Sequence, residues 1–97
     1  MIVTGYSGNL DFTNELNACI VDCTLIPVNE GEYPHGAGQV WADADIEQAA
    51  WYMRRLVAEP SYRAGLGKLA ADSIRGQCST EAVGRRYSAR LDRLGLL

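Results

Sequence analysis

Apolar residues occur in short runs in the first part of the chain and at helical spacing in the second. Met1–Thr4 and Ala18–Val21 are short runs rich in apolar and β-branched residues, which favours buried strands. Between them, Gly5–Asn9 predicts a tight turn whose glycines and asparagine tolerate positive φ. Leu10–Leu16 predicts two helical turns capped by Asn9. Together these segments predict a β-α-β unit with parallel strands and a right-handed crossover.

A second pair of strands is predicted downstream of this unit. Residues 24–28 continue in extended form, and Pro27 requires an edge or irregular position because it cannot donate a hydrogen bond. Residues 29–38 are rich in glycine and polar residues and predict a loop. Gln39–Ala42 then returns as a short strand. We expect a hairpin, with Trp41 as an anchor between the hairpin and the following helix.

The helical spacing begins at Asp45. An N-cap at Asp45 and Gln48 three residues later match the spacing of a capping box. The apolar positions of this first long helix recur at intervals of three, four and seven residues, so they share one face that is predicted to be buried. That face consists of Ile46, Ala49, Ala50, Met53, Leu56 and Val57.

Two further helices are predicted after the first. Pro60 ends the first helix and suits the opening turn of the second, which is expected to run to about Arg75 with Gly76 as the residue after its C-cap. Ser79 is predicted to cap the third helix. The inward-facing residues are expected to be Tyr62, Leu66, Leu69, Ala70 and Ile74 in the second helix, and Val83, Tyr87, Leu91 and Leu94 in the third.

The change from short apolar runs to helical spacing near Asp45 predicts an α/β fold, and the length suits one small domain spanning residues 1–97. The chain is 47% apolar and 22% charged, an ordinary globular balance that argues against disorder. No run approaches the roughly 18 apolar residues of a membrane span, and Met1–Gly5 lacks the basic lead of a signal peptide. The sequence therefore predicts a cytoplasmic protein with no transmembrane segment.

The net charge of −3 hides a strong division along the chain. Residues 1–53 contain eight acidic residues and no Lys or Arg, whereas residues 54–97 contain nine basic and four acidic residues, so the two parts carry −8 and +5. The basic residues are spread around three predicted helices and mixed with acids, so we expect no nucleic-acid partner. An acidic front packed beside a basic back explains the division as well.

Few residues have a sequence context that indicates catalysis. His35 is the sole histidine and lies in the Gly/Pro-containing loop, where a solvated side chain is expected. Asp43 and Asp45 flank a helix start, and capping explains them. The three cysteines match no zinc or redox spacing and are interpreted as buried thiols: Cys19, Cys23 and Cys78. These residues therefore predict no catalytic, cofactor-binding or metal-binding site.

The Gly5–Asn9 loop has two possible roles. It follows an apolar strand and opens a helical turn, an arrangement that presents backbone N–H groups to an anion. A G-x-x-G spacing also occurs in plain tight turns. The residues alone leave open whether this loop binds phosphate or sugar or only reverses the chain.

Taken together, the motifs resemble the group 1 glycosyltransferases (family 4, GT-B fold). Val3–Phe12, with the sequence VTGYSGNLDF, is similar to the family's "V-A-T-x-x-S-G-N-x-D-F" stretch in its C-terminal Rossmann-like domain. The resemblance continues in order along nearly the whole chain, through Asn17–Asp22, Leu25–Val28, Tyr33–Pro34, Gln39–Asp45 (the family's "W-A-E-P-D"), Met53–Arg55 and Ser79–Leu94. It implies a partial Rossmann-like half-domain and places Ser7, Gly8 and Asn9 at the rim of the pocket for a nucleotide-sugar donor.

The catalytic parts of that family have no counterpart in this sequence. The family relies on an E-x7-E motif, on a basic pair that holds the diphosphate and on an N-terminal Rossmann domain. We therefore expect a fragment or truncated form of a glycosyltransferase, inactive alone, and a homodimer that covers the unpaired strand edge. The alternative is a small non-enzymatic interaction or regulatory protein that reuses this half-domain.

Overall fold

The computed structural model describes residues 1–97 as a mixed α/β chain with two small sheets followed by three helices. A short 3₁₀ helix, Ser7–Asp11, follows the first strand. The other elements in chain order are β1 (Ile2–Thr4), β2 (Cys19–Val21), β3 (Cys23–Pro27), β4 (Val40–Ala44), α1 (Ile46–Ala58), α2 (Pro60–Cys78) and α3 (Thr80–Arg93). The predicted α/β class with three C-terminal helices is confirmed at this level. A Rossmann-like architecture stays a prediction, because the only parallel pair is β1 with β2.

The parallel pairing of β1 and β2 confirms the first predicted sheet, but the connection between the strands differs from the prediction. No α-helix forms over 10–16; the chain makes the 3₁₀ helix and then turns. Asn14 and Asn17 explain the difference, because their side chains bond to nearby backbone groups that an α-helix would have used. The Asn17 side chain accepts from the Asn14 N–H at 2.7 Å and donates to the Phe12 carbonyl at 3.1 Å, while Asn14 accepts from the Leu16 N–H at 2.9 Å.

The predicted hairpin is confirmed. Strands β3 and β4 are antiparallel, with Leu25 opposite Ala42 and Pro27 opposite Val40 at the end of the ladder. A two-stranded sheet has only edge strands, so a proline is tolerated at this position. The second strand runs on to Ala44, two residues beyond its predicted end.

Helix α1 begins as predicted but is linked differently to the sheet. The Asp45 side chain accepts from the Gln48 N–H at 2.9 Å, which confirms the N-cap. The Gln48 side chain does not complete the capping box at Asp45 and bonds instead to Asp22, at the end of β2. Helix α1 packs mainly on β1, β2 and α2, so the prediction that Trp41 anchors the hairpin to this helix finds no support.

Helix α2 ends three residues later than predicted, whereas α3 begins where it was predicted. Pro60 occupies the first turn of α2, and Ser79 caps α3 by accepting from the Ala82 N–H at 3.2 Å; both were predicted. Gly76 lies inside α2 rather than after its C-cap, because the helix continues to Cys78. No helix has the combination of length and apolar character that a bilayer crossing requires.

Many of the residues predicted to face inward are exposed, and of the fifteen only Leu66 is buried. Only 8 of 97 residues are buried, among them Ala18, Cys19 and Val21 of the β2 region, with Leu66 of α2. The chain measures 49 × 45 × 16 Å and has a radius of gyration of 18.1 Å, against about 13 Å for a compact domain of this length. The smallest dimension is about a third of the other two, so the chain has a flat shape. The apolar residues left uncovered include Ile46, Met53, Val57, Leu69, Tyr87 and Leu94.

Candidate functional site

The three residues predicted as the donor rim lie at the carboxyl end of β1. Ser7, Gly8 and Asn9 are the first residues of the 3₁₀ helix, and β1 ends three residues before Ser7. Ser7 and Gly8 are exposed, and Asn9 is half-buried. Because β1 runs parallel to β2, this loop lies at the sheet edge where ligands of open α/β sheets bind.

Positive φ falls on Ser7 rather than on the glycines, which corrects the prediction for this turn. Ser7 has φ 57°, and neither Gly5 nor Gly8 has positive φ. Gly5 is needed for a close approach instead, since an added Cβ would lie 2.9 Å from Cγ2 of Ile20 and 3.3 Å from the carbonyl of Val21. A Cβ added at Gly8 would meet nothing within 4 Å. The fold therefore requires a glycine at position 5 and not at position 8.

The backbone of this loop leaves donors free. The Gly5 N–H donates to Val21 and the Tyr6 N–H donates to Thr4, both at 2.8 Å, but the N–H groups of Ser7 and Gly8 find no acceptor elsewhere in the chain. The first N–H groups of a helical turn generally lack internal partners. The arrangement presents two free donors to solvent, suited to a phosphate or hydroxyl oxygen.

The Asn9 side chain stabilises the loop rather than capping a helix. Its amide donates to the Thr4 carbonyl at 3.3 Å, which ties the 3₁₀ helix to the end of β1. The hydroxyl of Thr13, a buried residue, donates in turn to the Asn9 carbonyl. These bonds hold the loop at the strand end, so its free donors have a fixed position.

The part of the chain that contains the loop offers no positive charge to an anion. Residues 1–53 contain no Lys or Arg, and Asp11 lies within the same 3₁₀ helix. Two neutral N–H groups are weak partners for a diphosphate without a cation nearby. A negatively charged nucleotide sugar would need basic groups from outside residues 1–53.

A second cluster, which sequence patterns did not reveal, lies between β2, α1 and α2. The Arg55 guanidinium lies 3.8 Å from the centre of the Tyr62 ring and 5.3 Å from that of Trp51, and its Nε donates to the Glu59 carboxylate at 3.1 Å. Tyr62 in turn lies 3.7 Å from the Cys19 thiol. Helical spacing alone carries no signal for such a stack. We interpret the stack as a packing contact that joins α1 to α2.

The remaining chemistry-bearing residues are dispersed. Cys19 is buried, as predicted, but Cys23 is half-buried and Cys78 is exposed, so the interpretation of all three as buried thiols is wrong. No three His, Cys, Asp or Glu side chains are grouped closely enough to hold a metal ion. His35 is exposed in its loop, in agreement with the prediction.

The functional assignment therefore depends on the loop formed by Ser7, Gly8 and Asn9 and on the order of the motifs along the sequence. The loop offers free backbone donors, a serine hydroxyl and open space above Gly8. It offers no acid, base or nucleophile held by a neighbouring group. No family model, no curated protein and no solved structure matches this chain.

Proposed function

We propose that this chain is the C-terminal part of a nucleotide-sugar glycosyltransferase with a GT-B fold, and that Ser7, Gly8 and Asn9 form the rim of its donor pocket. The observation that carries the proposal is the position of these residues at the carboxyl end of β1, beside a parallel strand. Ligands of open α/β sheets bind outside the carboxyl ends of the strands. The glycine at position 8 supports the proposal further, since no packing contact explains it.

The proposal implies that this chain alone transfers no sugar. Departure of a nucleoside diphosphate requires cationic groups that stabilise the developing negative charge, and the part of the chain that contains the proposed donor rim, residues 1–53, has no Lys or Arg. A second domain that aligns donor and acceptor contributes on the order of 7–11 kcal/mol in well-oriented reactions. Any nucleotide binding by this chain alone is expected at a Kd of about 1 mM or weaker, near −4 kcal/mol.

The test compares this chain with a longer reading frame. The proposal predicts that the coding DNA upstream of Met1 continues in frame into an E-x7-E segment, and that the longer polypeptide releases nucleoside diphosphate from at least one nucleotide sugar. The 97-residue chain, incubated with the same panel of nucleotide sugars, is expected to release none above background. A Gly8→Val variant of the longer polypeptide should lose most of this activity, because the added side chain fills the space above the loop.

Two results would overturn the proposal. An upstream reading frame that lacks the E-x7-E segment would show that the chain is not part of such a glycosyltransferase. Release by the 97-residue chain itself, abolished by Gly8→Val, would show that the short chain is an enzyme with a different active site.

A Gly84→Val variant in α3 is the control for Gly8→Val, because an added Cβ there also meets nothing within 4 Å.

A second candidate function is association, favoured by the exposed apolar stripe of α3. Tyr87, Leu91 and Leu94 lie along one side of this helix and are exposed. Strand β1 pairs only with β2, which leaves its other edge open. Exposed apolar side chains grouped on one face occur at interaction sites. The proposed occupant is a second copy of the chain, because the acidic residues 1–53 and the basic residues 54–97 are complementary in charge.

Light scattering at tens of micromolar tests this association. A dimer is expected at low salt, and Leu91→Glu should give a monomer because the added charge lies within the apolar stripe. Raising the salt concentration should weaken the dimer, since screening acts on the complementary charges. A monomer at every salt concentration would exclude this function.

A further inference from the structure

The end of the hairpin contains a groove that the proposed function does not use. The hairpin groove has a volume of about 430 Å³ and is lined by Val28, Tyr33, His35, Gln39, Val40 and Trp41. This size lies within the range of small-molecule sites, roughly 300–1,000 Å³.

The loop that forms one wall of the groove is held in place by its own hydrogen bonds. The Glu32 carboxylate accepts from the Asn29 N–H at 2.8 Å and from its side-chain amide at 3.2 Å, and these bonds hold the pKa of Glu32 below its ordinary value. The Gly36 N–H donates to Tyr33 at 3.1 Å, and the Gln39 N–H donates to Gly36 at 3.0 Å. The wall is therefore formed before any ligand binds.

Close packing at Gly36 fixes the orientation of the wall. Gly36 is buried, and an added Cβ would lie 2.7 Å from Cγ1 of Val28 and 3.0 Å from the Tyr33 carbonyl. Next to it, His35 adopts φ 58°, a conformation that non-glycine residues rarely take. This loop thus keeps a strained residue at the edge of the groove.

The lining combines aromatic rings with exposed polar groups that make no side-chain hydrogen bond within the chain. Tyr33 is 65% exposed and Trp41 is 37% exposed, although both are large apolar side chains. The His35 imidazole, the Gln39 amide, the Tyr33 hydroxyl and the Trp41 indole N–H make no side-chain hydrogen bond within the chain. Ring faces and free hydrogen-bonding groups therefore line the same cavity.

The charge of the groove decides between ligand classes. No Lys, Arg, Asp or Glu lines the groove, and the segment that contains it, residues 1–53, has eight acidic residues and no Lys or Arg. An anionic ligand would be repelled and would find no cation. A neutral ligand with an apolar ring face and several hydroxyl groups matches both the aromatic rings and the free polar groups.

We propose that the hairpin groove binds a neutral sugar ring, stacked on Trp41 or Tyr33 and hydrogen-bonded to His35 and Gln39. The groove lies in β4 and the loop before it, whereas the donor rim lies between β1 and β2. The inference depends on the groove alone and would hold even if the chain had no role in sugar transfer.

The two indole N–H signals of the ¹⁵N-labelled chain provide the test. The chain has two tryptophans, so Trp51→Phe assigns the remaining indole signal to Trp41. Methyl glucoside, methyl galactoside, methyl mannoside and maltose are titrated to about 100 mM, well above a millimolar Kd. At least one of them should shift the Trp41 signal saturably while the Trp51 signal stays in place. Sorbitol, which offers hydroxyl groups without a ring, should shift neither.

Matched variants separate the groove from the rest of the surface. Tyr33→Ala should weaken binding at least tenfold. Tyr87→Ala is the matched control, because Tyr87 has nearly the same exposure of 67%. It should leave binding unchanged, because Tyr87 lies on α3, outside the groove. Gln39→Ala should weaken binding through lost hydrogen bonds. Gly84→Ala in α3, where an added Cβ meets nothing within 4 Å, should bind sugar normally. The donor-rim proposal is tested by the activity of the longer polypeptide, so its failure is distinguishable from failure of this one.

Several outcomes would overturn the inference. No saturable shift with any of the sugars would exclude a sugar site. An equal response to sorbitol, or equal losses in Tyr33→Ala and Tyr87→Ala, would show a nonspecific solvent effect. A Trp41 signal that shifts only when the protein concentration rises would identify the groove as a contact between copies of the chain.

Discussion

The side-chain amide of Gln48 bonds to both the backbone and the side chain of Asp22. Its oxygen accepts from the Asp22 N–H, and its nitrogen donates to the Asp22 carboxylate at 3.0 Å. The Asp45 N–H also donates to the Asp22 carbonyl at 2.8 Å. The first turn of α1 is thereby fixed to the point where β2 ends and β3 begins, which positions the helix over the first sheet.

Removing this link should lower the stability of the chain. Gln48→Ala is expected to reduce the free energy of unfolding by about 1–2 kcal/mol, since two hydrogen bonds to Asp22 are lost. Gln77→Ala is the control, because that glutamine makes only one long local contact, 3.5 Å to Ser73. Urea denaturation measures both variants. Equal effects would show that the link to Asp22 contributes nothing.

A charged residue at position 48 should make the stability of the chain depend on pH. Gln48→Glu places a carboxylate against the Asp22 carboxylate, where a donor lies in the wild-type chain. Repulsion between the two groups should make this variant less stable at neutral pH than at about pH 4, where carboxyl groups begin to be protonated. Unfolding midpoints measured at both pH values, relative to wild type, provide the check.

Gly5→Ala and Gly8→Ala are expected to differ in their effect on stability. Gly5→Ala should destabilise the chain by roughly 1–3 kcal/mol, because its Cβ would overlap Ile20 and approach the Val21 carbonyl. Gly8→Ala should change stability by no more than about 0.5 kcal/mol, as for an exposed position with free space. Thermal unfolding distinguishes the two. A severe loss in Gly8→Ala would assign that glycine a structural role and weaken its role at a donor site.

Gly76 and Gly95 test where the last two helices end. Gly76→Ala should stabilise the chain by about 0.5–1 kcal/mol, because the residue lies inside α2 with open space around it. Gly95 has φ 69° after α3, and its N–H donates to Asp92 at 2.9 Å. Gly95→Ala should therefore cost about 1 kcal/mol. If Gly76→Ala destabilised the chain, the sequence-based helix end at Gly76 would be correct after all.

The sequence predicted the elements whose signals are local. Asp45 and Ser79 cap their helices as expected, because a short polar side chain at a helix start bonds to an N–H two or three residues later whatever surrounds it. The turn after β1 was predicted less well. The side chains of Asn14 and Asn17 bond to backbone N–H groups and so compete with an α-helix. The apolar pattern of residues 10–16 contains no information about this competition.

Burial could not be predicted from the same patterns. Helical spacing shows that Ile46, Met53 and Val57 share a face, but it does not show what covers that face. In the structure Ile46 is 72% and Val57 is 78% exposed. The hairpin groove was also beyond sequence reasoning, since it depends on the packing of Gly36 against Val28 and on the conformation of His35. Such contacts carry no periodic signal.

The pairing of Tyr62 with Cys19 predicts a loss of stability at alkaline pH. The hydroxyl lies 3.7 Å from the buried thiol, and this hydrogen bond, with desolvation and repulsion as further causes, raises the pKa of Tyr62 above its ordinary value of 10.0. A raised pKa in the folded state means that folding favours the neutral hydroxyl. Its contribution is therefore complete below the unfolded-state pKa and disappears as the pH rises through the folded-state value.

Tyr62→Phe isolates this contribution, because it removes the hydroxyl and keeps the ring that lies under Arg55. The wild-type chain should lose stability relative to Tyr62→Phe as the pH rises from about 9 to 11, across the ordinary tyrosine pKa. The groups that face Tyr62, namely Cys19, Tyr52 and Arg55, are present in both proteins. Tyr87→Phe on exposed α3 is the control and should follow wild type at every pH. Parallel stability curves for wild type and Tyr62→Phe would show that the contact with Cys19 does not favour the neutral hydroxyl.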